Sequence, residues 1–214
     1  MSLYYVKSLE EDHATRTVVG KEKKTFQTIE NIMARRLIKP NTRSFGQQRR
    51  LSTTILHAEY TKTYRPQGII FQTDAAPDFV LPFDLVLLSN AENIVVHYYR
   101  IKNNLHIYYN HKLIDGYEEF VYKNIDEMLK ELPSPKEAWK KLNDFRTKQG
   151  FSPVPQTKYR LAEYDEAVFL RAIKIRPIAL FGYRPETRLL AQKYGLPHYV
   201  SAKVFYERMH KNDA

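Results

Sequence analysis

Gly68-Ile69-Ile70-Phe71-Gln72 and Phe83-Asp84-Leu85-Val86-Leu87-Leu88 are two short apolar runs bounded by Pro, Gly, Asn and Asp. Such runs read as strands, and here they mark where the chain stops reading as helix. The pattern then repeats as Ile94 to Lys102, Asn103-Asn104, Leu105 to Ile114, Asp115-Gly116 and Tyr117 to Tyr122. Asn-Asn and Asp-Gly are two-residue hairpin signals, so these segments predict an antiparallel meander. Their density of Tyr, Val and Ile suits strands. If 94–102 pairs with 105–114 across Asn103-Asn104, facing residues have numbers summing to 207. Tyr99 then faces Tyr108, and Tyr98 faces Tyr109.

Upstream, Phe26, Ile29, Met33 and Leu37 recur at helical spacing between Lys24 and Lys39, and Pro40 ends the run. A second helix is expected from Phe45 to Tyr60, with Leu51, Ile55 and Leu56 inward, against the β-branched trend of Thr53-Thr54-Ile55. Downstream, helix returns at Asn124 to Leu132. Ser134-Pro135-Lys136-Glu137 is a capping box with proline at the first helical position, and it opens a helix that buries Trp139, Leu142 and Phe145 and stops at Gly150. Phe151 to Lys158, with two prolines and no periodicity, reads as a linker. Beyond it the sequence predicts helix (Glu163 to Ile173), strand (Pro177 to Tyr183) and a helix from Pro185 to Tyr194 closed by Gly195. A short strand (His198 to Val200) and a last helix capped by Ser201 follow. The expected class is α/β or α+β: a central mixed sheet with an antiparallel meander, flanked by N-terminal and C-terminal helices. Residues 1–150 would form the core, and 159–214 a C-terminal α/β segment packing on it.

The chain has 214 residues, no cysteine, 34 Lys+Arg and 24 Asp+Glu, hence a formal charge of +10. Without cysteine there is no disulfide, thiolate nucleophile, zinc ribbon or cysteine-held iron–sulfur cluster. No apolar run approaches the ~20 residues of a membrane helix, and the N-terminus lacks an apolar core of signal-peptide length. A reducing, cytoplasmic setting without a membrane partner is therefore expected. The charge is uneven. Residues 1–70 hold 13 basic and 6 acidic side chains, 71–134 hold 5 and 10, and 135–214 hold 16 and 8. Segment charges of +7, −5 and +8 suit flanks that attract phosphates around an acidic centre, and equally suit solvated basic helices. Arg35, Arg36, Arg49 and Arg50 are the candidate phosphate contacts. Tyr99 and Tyr108 are candidate stacking surfaces for bases, or cross-strand packing pairs.

The chain carries no Walker loop, dinucleotide glycine pattern, His-Glu-x-x-His or Gly-x-Ser-x-Gly. Its seven histidines are scattered. Arg184-Pro185-Glu186-Thr187-Arg188 opens a helix after a strand, a place where anions bind and also an ordinary connection. The acidic centre is more informative. Asp74, Asp78 and Asp84 lie in or beside the loop between the first two strands, and the strand ending Tyr98-Tyr99-Arg100-Ile101-Lys102 follows. Phosphodiester hydrolysis needs carboxylate-held divalent cations and a nearby positive charge.

In this respect the segment from Gly46 to Lys102 resembles the PD-(D/E)xK nucleases, in particular the archaeal Holliday-junction resolvases. The resemblance covers about a quarter of the chain: the helix from Gly46-Gln47-Gln48-Arg49-Arg50, the strand Gly68 to Gln72, Pro82-Phe83-Asp84-Leu85-Val86-Leu87, and Asn93 to Arg100. It implies Asp84 as the first metal-binding aspartate, Asp78 or Asp74 as further ligands, and Mg²⁺ as the ion. It departs from the family at the second motif, where His97-Tyr98-Tyr99-Arg100 stands in place of Glu-x-Lys. His97 would then ligate metal, with Arg100 and Lys102 offsetting charge. The implied activity is a metal-dependent endonuclease on branched or duplex DNA, working as a symmetric dimer. The alternatives are a non-catalytic DNA- or RNA-binding protein and a protein–protein adaptor.

Overall fold

The computed structural model describes residues 3–9, 18–19, 22–23, 28–40, 51–88, 99–101, 105–107 and 114–211. In chain order the strands are β1 (Tyr4–Ser8), β2 (Val18–Val19), β3 (Glu22–Lys23), β4 (Leu37–Ile38), β5 (Leu51–Leu56), β6 (Gly68–Gln72) and β7 (Phe79–Leu81). After them come β8 (Tyr99–Ile101), β9 (Leu105–Ile107), β10 (Glu166–Phe169), β11 (Ile173–Lys174), β12 (Arg176–Phe181) and β13 (His198–Tyr199). The helices are α1 (Ile29–Arg35), α2 (Ile125–Glu131), α3 (Pro135–Lys148), α4 (Pro185–Lys193) and α5 (Ala202–His210).

Seven strands form one mixed sheet in the order β13-β12-β6-β1-β5-β10-β7. All neighbours are antiparallel except β12 and β13, which are parallel and joined through α4. The class is therefore α/β. Because successive strand residues face opposite sides, the apolar runs of the sheet serve two cores. Tyr5, Ile55, Ile69, Phe71 and Leu180 pack with the buried faces of α1 to α4. Their immediate neighbours Val6, Leu56, Ile70 and Ala179, with Phe181, pack with Ala202 and Phe205 of α5. Phe205 meets Tyr4 and Tyr199 edge-on, with ring centroids 5.1 and 5.4 Å apart. At the β1–β6 pair a Cβ on Gly68 would lie 2.2 Å from the Lys7 carbonyl oxygen, so only glycine lets the strands approach there.

This two-sided burial explains where the sequence reading and the fold part company. Leu51 to Leu56, expected inside a helix, is the central strand β5, which gives Leu51 and Ile55 to one core and Leu56 to the other. Thr53-Thr54-Ile55 was the signal for it. Glu163 to Ile173, also expected as helix, holds the fully buried strand β10. The helix expected over Lys24 to Lys39 is only Ile29–Arg35: Thr28 caps it, Arg36 turns left-handed at φ 49°, and Leu37–Ile38 continues as strand. Phe83 to Leu88 is not a strand. β7 ends at Leu81, Pro82 has no N–H to offer a ladder, and Leu85–Leu88 forms a 3₁₀ turn started by the Leu87 N–H donating to the Asp84 carbonyl.

Of the expected meander, the described residues form an antiparallel hairpin of β8 and β9 that is not part of the large sheet, and Tyr117–Phe120, expected as strand, is a 3₁₀ turn; 94–98, 102–104 and 108–113 lie outside the described residues. Tyr99 pairs with Ile107, one residue off the expected register, so it does not oppose Tyr108. The expected helices at 124–132, 134–150, 185–194 and from Ser201, and the strands at 68–72, 177–183 and 198–200, are present within one or two residues.

The Phe151–Lys158 stretch is fastened rather than free. Val154 is buried and its N–H donates to Asn143 Oδ1 at 2.7 Å. Arg146, on α3, is buried. Its Nε donates to the Ser152 carbonyl at 2.9 Å and its Nη1 to the Leu87 carbonyl at 3.2 Å. The C-terminal segment shares the sheet with the N-terminal half: β10 lies between β5 and β7, and β12 pairs with β6.

Candidate nucleic-acid interface

Arg171-Ala172-Ile173-Lys174-Ile175-Arg176 leads from β10 into β12, and its alternation decides its placement. Ile173 and Ile175 turn into the core, while Lys174 and Arg176 are exposed. Between them β11 pairs antiparallel with β4, Ile173 opposite Ile38 and Lys174 opposite Leu37. The Ile175 N–H donates to the Arg36 carbonyl at 3.0 Å, which extends the ribbon to the end of α1. That end carries exposed Arg35 and Arg36, and exposed Lys39 follows β4. The ribbon thus gathers Arg35, Arg36, Lys39, Lys174 and Arg176 from segments distant in sequence. Arg36 can hold its left-handed turn because the chain must pass directly from helix to strand there. Thr73 Oγ1 donates to the Lys174 carbonyl at 2.8 Å, and Arg176 Nη2 donates to Gln72 Oε1 at 2.6 Å. These bonds hold the ribbon to the end of β6. The exposed Asp74 beside Thr73 is the nearest acid in sequence to this anchor. Five like charges in one ribbon repel one another in the free protein, which favours a polyanion that neutralises them.

Of the expected phosphate contacts, Arg35 and Arg36 belong to this ribbon. Arg49 and Arg50 lie outside the described residues, as do His97, Lys102 and Tyr108. Tyr99 and Arg100 are in β8, away from the large sheet. Two of the three acids, Asp78 and Asp84, are put to structural use. Asp78 Oδ2 accepts the Leu170 N–H at 2.8 Å and its Oδ1 faces Arg171 Nη1 at 3.2 Å, fixing the turn before β7 to the end of β10. Asp84, half-buried, accepts the Tyr164 hydroxyl at 3.1 Å. Burial, and then the Asp84 charge, push the Tyr164 phenol far above its ordinary range. Among the described residues no three His, Asp or Glu side chains form a group able to hold a metal ion. Among them, too, no helix is long and apolar enough to cross a membrane.

Sequence reading missed the residues that the fold makes most polar inside. Tyr164, Asp165 and Glu166 stand in a row at the start of β10, and each has a polar partner on another segment. Tyr164 reaches Asp84, Asp165 reaches β5 and His57, and Glu166 accepts the Ser52 hydroxyl. Burial raises the Asp165 carboxyl above the usual carboxylate range, although His57 and the Ile55 N–H pull the other way. Lys174 and Arg176 were likewise missed, since they fall between the helix expected to end at Ile173 and the strand expected to begin at Pro177. The alternation of Ile173 and Ile175 with Lys174 and Arg176 was the available signal. No family model, curated protein or solved structure matches the chain.

Proposed function

We propose that the protein binds nucleic acid through the β4–β11 ribbon and acts there as a binding module. The observation that carries this is the meeting of Arg35, Arg36 and Lys39 with Lys174 and Arg176, all exposed, in a chain of net charge +10. Lys and Arg side chains attract phosphates over a distance and release counterions on contact, which supplies affinity without a pocket. The ribbon is well suited to that task because its other side is anchored in the core by Ile38, Ile173 and Ile175. Its backbone therefore needs little ordering on binding. The reading does not draw on Asp74, Asp78 or Asp84, whose observed partners account for the latter two.

Fluorescence anisotropy with a short labelled DNA duplex at low salt tests it. The doubly reversed Lys174→Glu, Arg176→Glu chain should bind at least about tenfold more weakly, with a thermal midpoint near that of the parent. Equal affinity in a folded variant would remove the ribbon from the interface.

A further inference from the structure

Resting on that reading, we infer that Tyr183, followed by Arg184 and Arg188, is a second contact for the nucleic acid held at the ribbon. An unpaired base stacks on its ring while the two arginines hold the neighbouring phosphates.

Tyr183 is 76% exposed, the most of any large apolar or aromatic side chain among the described residues. Tyr64, the other exposed tyrosine among them, is engaged: it meets Tyr164 edge-on at 5.8 Å, and the Arg65 guanidinium lies 4.6 Å from its ring centre. The Tyr183 side chain has no ring, ion or hydrogen-bond partner among the described residues. Its backbone, by contrast, is fixed. Gly182 before it is buried at φ 146°, its N–H donates to the Tyr199 carbonyl at 2.9 Å, and a Cβ there would lie 2.7 Å from the Gln67 Cβ. Pro185, two positions on, has its φ set by its own ring. A free aromatic face on a fixed mount needs little ordering when a flat partner covers it.

Arg184 and Arg188 supply the charge, and both are exposed. They stand one helical turn apart, the Arg188 N–H donating to the Arg184 carbonyl at 3.4 Å, and like charges at that spacing repel. Glu186 is two positions from each and so does not share their face. The pair therefore favours an anion laid across it. Aromatic rings beside cations are how single strands are held. Bases inside a duplex have both faces covered by their neighbours, so the base that lies on Tyr183 is an unpaired one.

Reach links this contact to the ribbon. Tyr183 follows Arg176, the first residue of β12, by seven positions, so at most about 25 Å separates their Cα atoms. About eight nucleotides cover that length even at the duplex spacing of about 3.4 Å along one strand.

The test is equilibrium binding of the full chain to two labelled DNA probes: a single strand of about twelve nucleotides and the duplex it forms with its complement. Tyr183→Ala should weaken binding of the single strand about tenfold and leave the duplex within about twofold of the parent. Tyr183→Phe, which keeps the ring, should match the parent on both. Arg188→Gln should reduce the slope of log affinity against log salt for the single strand by about 0.7. The inference is overturned if Tyr183→Ala leaves single-strand affinity unchanged, weakens both probes alike or is matched by Tyr183→Phe, or if Arg188→Gln leaves that slope unchanged. In each of those cases, weakened binding by the Lys174→Glu, Arg176→Glu chain keeps the ribbon as the interface. Failure of the parent chain to bind either probe overturns the proposed function itself, and this inference with it.

Discussion

Asp165 and Ile55 meet beside the β5–β10 pairing: the Ile55 N–H donates to Asp165 Oδ1 at 2.8 Å, and that carboxylate has no solvent exposure. The side chain takes the place that a neighbouring strand's carbonyl would otherwise fill, so the junction of β5 and β10 is locked by one acid. Its other oxygen lies 3.5 Å from His57 Nε2, and the His57 ring leans on Tyr60 at 4.5 Å between centroids. Replacing Asp165 by alanine leaves the Ile55 N–H without an acceptor inside the protein. That variant should lose about 2–4 kcal/mol in urea unfolding. Asn, whose amide oxygen can still accept, should lose distinctly less. Equal losses for the two would mean that the hydrogen bond is not what matters.

The same group makes stability depend on pH. A carboxyl raised in the folded state contributes stability that is fully present below its unfolded value, about 3.9, and is lost as pH climbs through the raised folded value. Asp165→Asn removes this titration. The thermal midpoint of the variant minus that of the parent should therefore grow as pH rises from about 4 towards neutrality. A difference that stays flat across that span would show that Asp165 titrates as it does in the unfolded chain.

Arg146 gives a second internal test. Its guanidinium ties α3 to Ser152 and to Leu87, and so holds the Phe151–Val154 stretch against the 3₁₀ turn. Arg146→Met keeps the bulk and leaves both carbonyls unpaired, at a cost of about 2–3 kcal/mol. Proteolysis should then begin near residues 151–155. If the variant is cut first elsewhere, this fastening is not what secures the stretch.

Gly68→Ala tests the close approach of β1 and β6. A methyl group there meets the backbone of Lys7, which cannot yield without parting the two strands. A loss of about 2–4 kcal/mol is expected, at the upper end of ordinary single substitutions. A near-neutral effect would mean that the strands can separate locally at little cost.

What could be read from the sequence was whatever punctuation and one-sided periodicity reveal. Ser134-Pro135 with Glu137 announced α3, and the Ser134 hydroxyl does accept the Glu137 N–H at 3.4 Å. Pro185 and Gly195 bounded α4 in the same way. Strands β5 and β10 were misread because β10 is buried along its whole length and β5 gives Leu51 and Ile55 to one core and Leu56 to the other, so neither shows the one-sided period that distinguishes strand from helix. The interface suffered from the same cause. Arg35 and Arg36 were legible as a basic helix end, but Lys174 and Arg176 join them only through the β4–β11 register, which is a property of the fold. Asp84 attracted attention as an acid among apolar neighbours, and its partner proved to be the Tyr164 hydroxyl, eighty positions further along the chain.

The most direct measurement is the salt dependence of binding. Five cations contacting phosphates of a duplex predict a slope of log affinity against log salt of about −4.5, since each contact contributes about −0.9. The parent chain should approach that slope. A chain with Arg35, Arg36, Lys39, Lys174 and Arg176 all changed to glutamine should fall close to zero while keeping its thermal midpoint. An unchanged slope in the quintuple variant would contradict the account, because the affinity would then come from another surface.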